Sequence, residues 1–399
     1  MTARTPDQSH VGLAIVALAL GGFAIGTTEF VTMGLLPQIA SGIGESIPST
    51  GHVISAYAVG VFIGAPVIVA LAARLPRRAL AIGLVLALGF GNVLTVLAQN
   101  YSSLMIARFV AGLPHGAYFG VASLIAASLV TADRRGRAVS SVMLGLAVAN
   151  VAGVPAATWL GQTLGWRSAY VAVVLITLAT AALVLAYVPR TPREQDASIR
   201  TELSALRRPQ VWLTLLIGTV GFGGMFAMYS YIAPVVTEVT GRGEGFVPLV
   251  LFAFGVGGVA GTALGGRLAD WAILRSLMGA LVATGLLLAV FTQVASNPAG
   301  LVATVFLVSM TASTLVVCLQ MRLMQVAGKA AMLGAALNHS SLNAANALGA
   351  WLGGVVIAEG YGYTAPSAVG VVLATAGLVI LAVSGAVYRG ERLSLSLAH

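Results

Sequence analysis

Twelve apolar runs, each long enough to cross a bilayer as a helix, follow one another along this chain. About 20 apolar residues span the hydrocarbon core as a helix, whereas a membrane strand needs only about 10. The runs fall at residues 11–37, 52–73, 79–98, 102–130, 137–161, 167–188, 211–238, 247–269, 276–296, 300–326, 331–358 and 365–387. Their lengths imply an all-α membrane protein with twelve transmembrane helices. The first run is too long for the core of a signal peptide, and no cleavage-type boundary follows it, so it is expected to stay as a span.

Composition excludes the soluble alternatives. Hydrophobic residues make up 58% of the 399 and charged residues 8%, against about 25% charged in a soluble domain. A soluble enzyme, a nucleic-acid binder and a disordered chain are all ruled out by that balance. The net charge of +9 would suit nucleic acid if it formed a solvated patch. Instead the charges sort by loop. With both termini in the cytoplasm, all but three of the 21 Lys and Arg residues lie on the inner side, as the positive-inside rule requires. Among them are Arg74, Arg77 and Arg78, then Arg134, Arg135 and Arg137, and finally Arg389 and Arg392. Arg167 and Arg242 fall outside, and Arg108 lies within a span. The single cysteine, Cys318, leaves no internal disulfide possible.

One connection, residues 189–210, is long and charged and sits at the midpoint. It divides the chain into a six-helix bundle at 1–188, a cytoplasmic linker and a second six-helix bundle at 211–399. The halves repeat at an offset of 197 residues, which superposes Gly60 and Gly64 on Gly257 and Gly261, Leu71-Ala72 on Leu268-Ala269, Arg78 on Arg275 and Pro37 on Pro234. At 196, Asn150 and Gly153 fall on Asn346 and Gly349. Charged and proline matches at one offset point to duplication of a six-helix unit, an architecture that places a substrate site near the midplane. Glycines four residues apart let helix backbones approach closely in lipid.

Ionisable groups inside spans are costly and usually functional. Glu29 lies about 13 Å from the outer end of helix 1 and Arg108 about 10 Å from that of helix 4, at 1.5 Å per residue. Similar depth would let them share a polar region. A carboxylate there can take up and release a proton as water access changes sides; the alternative is a fixed ion pair or a permanently protonated, hydrogen-bonded group. His115 and His339 read equally as helix-to-helix hydrogen bonding and as ligand contacts. Asn338, His339, Ser341, Asn343 and Asn346 give helix 11 a polar face suited to a cavity, with Asn150 as the first-half match of Asn346. Phe226, Tyr229 and Tyr231 on helix 7 could wall that cavity or pack between helices. No nucleotide-binding loop, metal-ligand cluster or nucleophile–base motif is present, so no cofactor or metal is expected and uphill transport would draw on an ion gradient.

Five stretches carry a family resemblance: GTTEFVTMGLLPQIA (26–40), IPSTGHVISAYAVGVFIGAP (47–66), RFVAGLPHGAYFG (108–120), NVAGVPAATWLGQTLGWR (150–167) and LGGRLAD (264–270). With them the chain resembles, over its whole length, the twelve-helix drug:proton antiporter branch of the major facilitator superfamily. The likeness is greatest to arabinose-efflux-permease-like and chloramphenicol-efflux proteins of bacterial inner membranes. The resemblance implies two pseudo-symmetric six-helix bundles with helices 1, 4, 5, 7, 10 and 11 facing the cavity. It implies proton coupling through Glu29 and Arg108. Gly153, Pro155 and Gly161 resemble the helix-5 antiporter signature, with Val154 interrupting its usual Gly-Pro. In the helix 2–3 motif Val69 and Ala73 replace the expected Gly and Asp, while Arg74, Arg77 and Arg78 remain; Gly266 and Asp270 are intact at the equivalent place in the second half. The expected protein is therefore a monomeric inner-membrane exporter of small organic molecules driven by protons, with lipid but no nucleic acid as partner. The rival readings are a proton symporter or facilitator importing a sugar or nucleoside-like solute, and a non-transporting membrane sensor.

Overall fold

The computed structural model describes residues 8–72, 75–131, 134–190, 204–328 and 331–397, and every regular element among them is helical. Most of the linker, with Ala73 and Arg74, lies outside the described residues. The first half contains α1 (Gln8–Gly34, resumed as Leu36–Ile43), α2 (Ile47–Ala72), α3 (Arg77–Leu97), α4 (Tyr101–Gly112, resumed as His115–Ser128), α5 (Arg135–Val148, then Val154–Leu164) and α6 (Arg167–Tyr187). In the second, α7 runs through Pro209–Gly221, Gly223–Tyr229 and Ile232–Pro234, and α10 (Pro298–Ala327), α11 (Ala331–Ala358) and α12 (Ala365–Leu397) close the series. Between them Val247–Val294 holds the two spans that the sequence suggests, joined with almost no loop. Its backbone leaves helical geometry at Ala272 (φ −165°, ψ 92°), and its two arms are α8 and α9. Among the described residues 11 helices are long and apolar enough to cross a membrane; counting the bent one twice gives the expected twelve crossings.

Leu164, Val372 and Trp159 are 72%, 67% and 59% exposed, an outer surface suited to lipid rather than water. Inside, the first half is packed on small side chains such as Ala14, Ala17, Ala24, Ala117, Ala122 and Ala126, which let helices approach where lipid supplies no hydrophobic drive.

The chain forms two compact units, residues 1–46 with 56–195 and residues 47–55 with 196–399. Several of their internal contacts repeat at a fixed offset. In the first, a Cβ on Gly60 or Gly64 of α2 would strike the carbonyls of Phe109 and Leu113 on α4; in the second, Gly257 and Gly261 of α8 meet the carbonyls of Phe306 and Met310 on α10. All four residues on each side differ by 197. The N-caps match at the same offset: Asn100 accepts from the backbone of Ser103 at the start of α4, and Asn297 from Ala299 and Gly300 at the start of α10.

The α1–α5 and α7–α11 contacts repeat instead at 196. Gly145 abuts the carbonyl of Ala19, and Ser341 donates to the carbonyl of Leu215 at 2.9 Å. Gly153 abuts Thr27, and Gly349 abuts Gly223. Helices α1 and α7 also break at matching places, with bridge-region backbone at Leu35 (φ −112°, ψ 13°) and Tyr231 (φ −115°, ψ 22°). In this register Pro37 and Pro234 fall one residue apart, just beyond the break. Within α5, residues Ala149–Gly153 widen into a π turn ahead of Pro155, whose ring nitrogen cannot make the ordinary helical bond.

Candidate functional site

The first unit carries two buried ionisable groups at one level. Glu29 is 6% exposed and Arg108 1%. Arg108 lies one turn before the end of the first segment of α4, and its guanidinium reaches α1 with two donors on one residue. One NH2 group donates to Thr28 Oγ1 at 3.1 Å and the other to the Thr28 carbonyl at 2.9 Å. Thr28 Oγ1 in turn donates to Asn92 Oδ1 on α3 at 2.5 Å, and Asn92 Nδ2 donates to the Leu88 carbonyl at 2.8 Å. The planar fork is thereby fixed one residue from Glu29. Hydrogen bonds to a charged group contribute about 1.5–3 kcal/mol each, which offsets part of the cost of holding a cation out of water.

Aromatic faces supply the rest. The Arg108 guanidinium carbon stands 4.5 Å from the Tyr57 ring centre and 5.4 Å from that of Tyr170, and Tyr170 Oη shares a 2.8 Å hydrogen bond with Thr32 Oγ1. Such contacts are worth about 2 kcal/mol when desolvated. His115 resumes α4 after the kink at Leu113–Pro114. Its Nδ1 lies 3.1 Å from Tyr57 Oη and 3.9 Å from Glu29 Oε2. Glu29, His115, Tyr57, Arg108 and Thr28 thus form a run of contacts across α1, α2 and α4 that begins and ends on adjacent residues of α1. The sequence suggested Glu29, Arg108 and His115; it did not suggest Thr28, Tyr57, Asn92 or Tyr170.

In the second unit, α11 buries Asn338, Ser341, Asn343 and Asn346. Asn343 donates to the His339 carbonyl at 2.9 Å, and Ser341 faces α7 through Leu215. Neither amide atom of Asn338 meets a partner among the described residues. The helix-7 aromatics are all buried. Tyr229 stacks on Phe254 (centres 3.8 Å apart), Phe226 meets Phe222 edge-on, and Tyr231 donates to the Ala350 carbonyl at 2.8 Å. Asn150 lies in the α5 π turn with its Oδ1 unpartnered among the described residues.

The motif residues are placed at helix ends. Arg77 opens α3, and Arg78 donates to the Leu185 carbonyl. Gly266 faces open space and Asp270 is exposed, two residues before the Ala272 bend. A residue not singled out from the sequence is Arg322 on α10. It is 5% exposed, with Gln210 Oε1 at 3.3 Å and the Tyr388 ring centre at 5.1 Å. Its place near a span end made it count with the inner-side cations.

The model of the Major Facilitator Superfamily matches residues 18–338. The chain belongs to that superfamily. It is 40% identical to the Escherichia coli (strain K12) "Inner membrane transport protein YdhP", over 94% of this chain and 96% of that protein. It is 34% identical to the "Chloramphenicol resistance protein" of Streptomyces lividans, over 88% and 90% of the two chains. Among solved structures, the human organic anion transporter MFSD10 (TETRAN) superposes with a TM-score of 0.65, covering 94% of this chain and 99% of that one. At 15% identity that likeness speaks for the fold alone. The family and fold expected from the sequence are the ones found: this is a membrane transporter of the major facilitator superfamily.

Proposed function

We propose that this transporter exports small organic molecules in exchange for protons, with Glu29 carrying the proton. The observation that carries the reading is the Glu29 environment. A carboxyl group is buried within a membrane helix, beside an imidazole and one residue from an arginine fork held by neutral partners. Removal from water penalises the ionised carboxylate, whereas a nearby cation favours it, so small changes in water access shift its charge.

Export, rather than import, is favoured by the resemblance to antiporters and by the relative named for chloramphenicol resistance. The name of the Escherichia coli relative supports an inner-membrane location, and the inner-side arginines support cytoplasmic termini. The working unit is a monomer, with no cofactor. In the cycle, Glu29 takes a proton from the outer side, and its release inward alternates with substrate release outward. Asn338, Asn343 and Asn346, with His339, Asn150 and the helix-7 aromatics, are the substrate-cavity candidates. Arg74, Arg77, Arg78, Gly153, Pro155, Gly266 and Asp270 serve the conformational change.

The test is a solute screen in proteoliposomes under an imposed pH gradient, with an internal pH dye and chloramphenicol as the first probe. Proton movement dependent on an added solute is expected. Solute flux that neither moves protons nor responds to the gradient would contradict antiport.

A further inference from the structure

His115 offers one nitrogen to two groups. Nδ1 faces Tyr57 Oη from α2 at 3.1 Å and Glu29 Oε2 from α1 at 3.9 Å. An imidazole nitrogen either carries a proton and donates or lacks one and accepts. With Nδ1 protonated, it faces the Glu29 carboxylate as a cation at ion-pair distance and donates to Tyr57 Oη. With Nδ1 bare, it accepts from the Tyr57 hydroxyl. The Tyr57 hydrogen bond therefore reverses direction with the protonation of Nδ1, and the charge on Glu29 biases which state holds.

The ring packing holds His115 in place for this choice. Phe119, one turn on, meets the imidazole edge-on with centres 5.5 Å apart, and Tyr57 is tilted against it at 5.9 Å. All three are nearly inaccessible to solvent. The Tyr57 ring also lies under the Arg108 guanidinium at 4.5 Å. A change in what the Tyr57 hydroxyl does therefore reaches the charge that grips Thr28, next to Glu29.

We propose that His115 Nδ1 is the second station of the coupled proton, contested by Glu29 and the Tyr57 hydroxyl, and that Tyr57 conveys the charge state of Glu29 to Arg108. The proposal rests on the reading of Glu29 as the coupling carboxylate. One proton enters the pair and resides on Glu29 Oε2 or on His115 Nδ1. Only O–H and N–H bonds form and break, and the same proton leaves on the other side. Nδ1 is faced by Glu29 from α1 and by Tyr57 from α2, and Arg108 of α4 lies over the Tyr57 ring.

The test is solid-state NMR of lipid-reconstituted protein with ring-15N histidine, titrated from acid to alkaline pH. The chain has 5 histidines, and the His115 signals are assigned by their loss in His115→Asn. Wild type is compared with Glu29→Gln and with Tyr57→Phe, which keeps the ring under Arg108. In Glu29→Gln the Nδ1 midpoint should move by about one pH unit or more, a tenfold change in proton affinity. In Tyr57→Phe the Nδ1 shift at the unprotonated limit should change, because its hydrogen-bond donor is gone. A smaller midpoint change in Glu29→Gln, or a His115 signal fixed at one position in all three proteins, overturns the relay. Proton-driven solute transport by the same vesicles separates this from the carrier reading. If the His115 signal ignores Glu29 while Glu29→Gln still abolishes coupling, the relay falls and the carrier stands.

Discussion

The two halves of this transporter share a scaffold and differ in what it holds. The glycine contacts of α2 on α4 and of α8 on α10 repeat residue for residue, and so do the asparagine caps. Yet in the 197-residue register fixed by those contacts Tyr57 corresponds to Phe254, Arg108 to Val305 and His115 to Ala312, and in the 196-residue register of α1 and α7 Glu29 corresponds to Met225, all buried. The second half fills with apolar side chains the place where the first holds its ionisable groups. Its own buried polar groups lie elsewhere, among them Asn338, Ser341, Asn343 and Asn346 on α11 and Arg322 with Gln210. Helix breaking follows the same division: α4 is interrupted ahead of His115 at Pro114, whereas α10, with Thr311 at that position, runs unbroken. The shared scaffold thus holds a carboxyl group, an imidazole and an arginine together in one copy and apolar side chains at the matching positions of the other.

The comparison can be broken first at the scaffold. Gly64→Leu and Gly261→Leu each drive a side chain into a backbone carbonyl, so both should lose about 3 kcal/mol, the upper end of overpacking costs. Folded yield and thermal unfolding in detergent check this, and a loss confined to one half would deny the shared packing. Arg108 against Val305 sharpens the difference. Arg108→Lys keeps charge but not the fork on Thr28, so proton-driven transport should fall about tenfold, equivalent to about 1.4 kcal/mol, with the protein still folded. Val305→Ala should leave the ratio of protons to solute unchanged; a comparable coupling loss there would erase the distinction. The smallest effect is at the caps, where Asn100→Ala and Asn297→Ala should each cost about 1 kcal/mol by thermal unfolding.

The spans and the repeat were legible because apolar length and glycine spacing are local signals. The 196-residue register was legible for α5 and α11, in Asn150 and Gly153 against Asn346 and Gly349, but not for α1 and α7, where Pro37 and Pro234 match at 197 and the helix breaks at Leu35 and Tyr231 match at 196. The two spans expected at 247–269 and 276–296 are the two helices that meet at Ala272, where the backbone is extended. Glu29 and Arg108 stood out because a charge in lipid is conspicuous. Tyr57, Thr28 and Tyr170 did not, because a tyrosine or threonine in an apolar run has the same appearance whether it packs or grips an arginine. Arg322 was hidden by its position, since sequence depth does not distinguish a buried arginine near a span end from a solvated one.

Glu29→Gln tests the division most directly. Glutamine keeps the size and the hydrogen bonds of a neutral carboxyl group but cannot exchange a proton. In proteoliposomes, normalised to folded protein, the variant should still exchange solute down its own gradient while accumulation driven by a pH gradient disappears. Full pH-driven accumulation by Glu29→Gln would contradict it and remove Glu29 from the coupling mechanism.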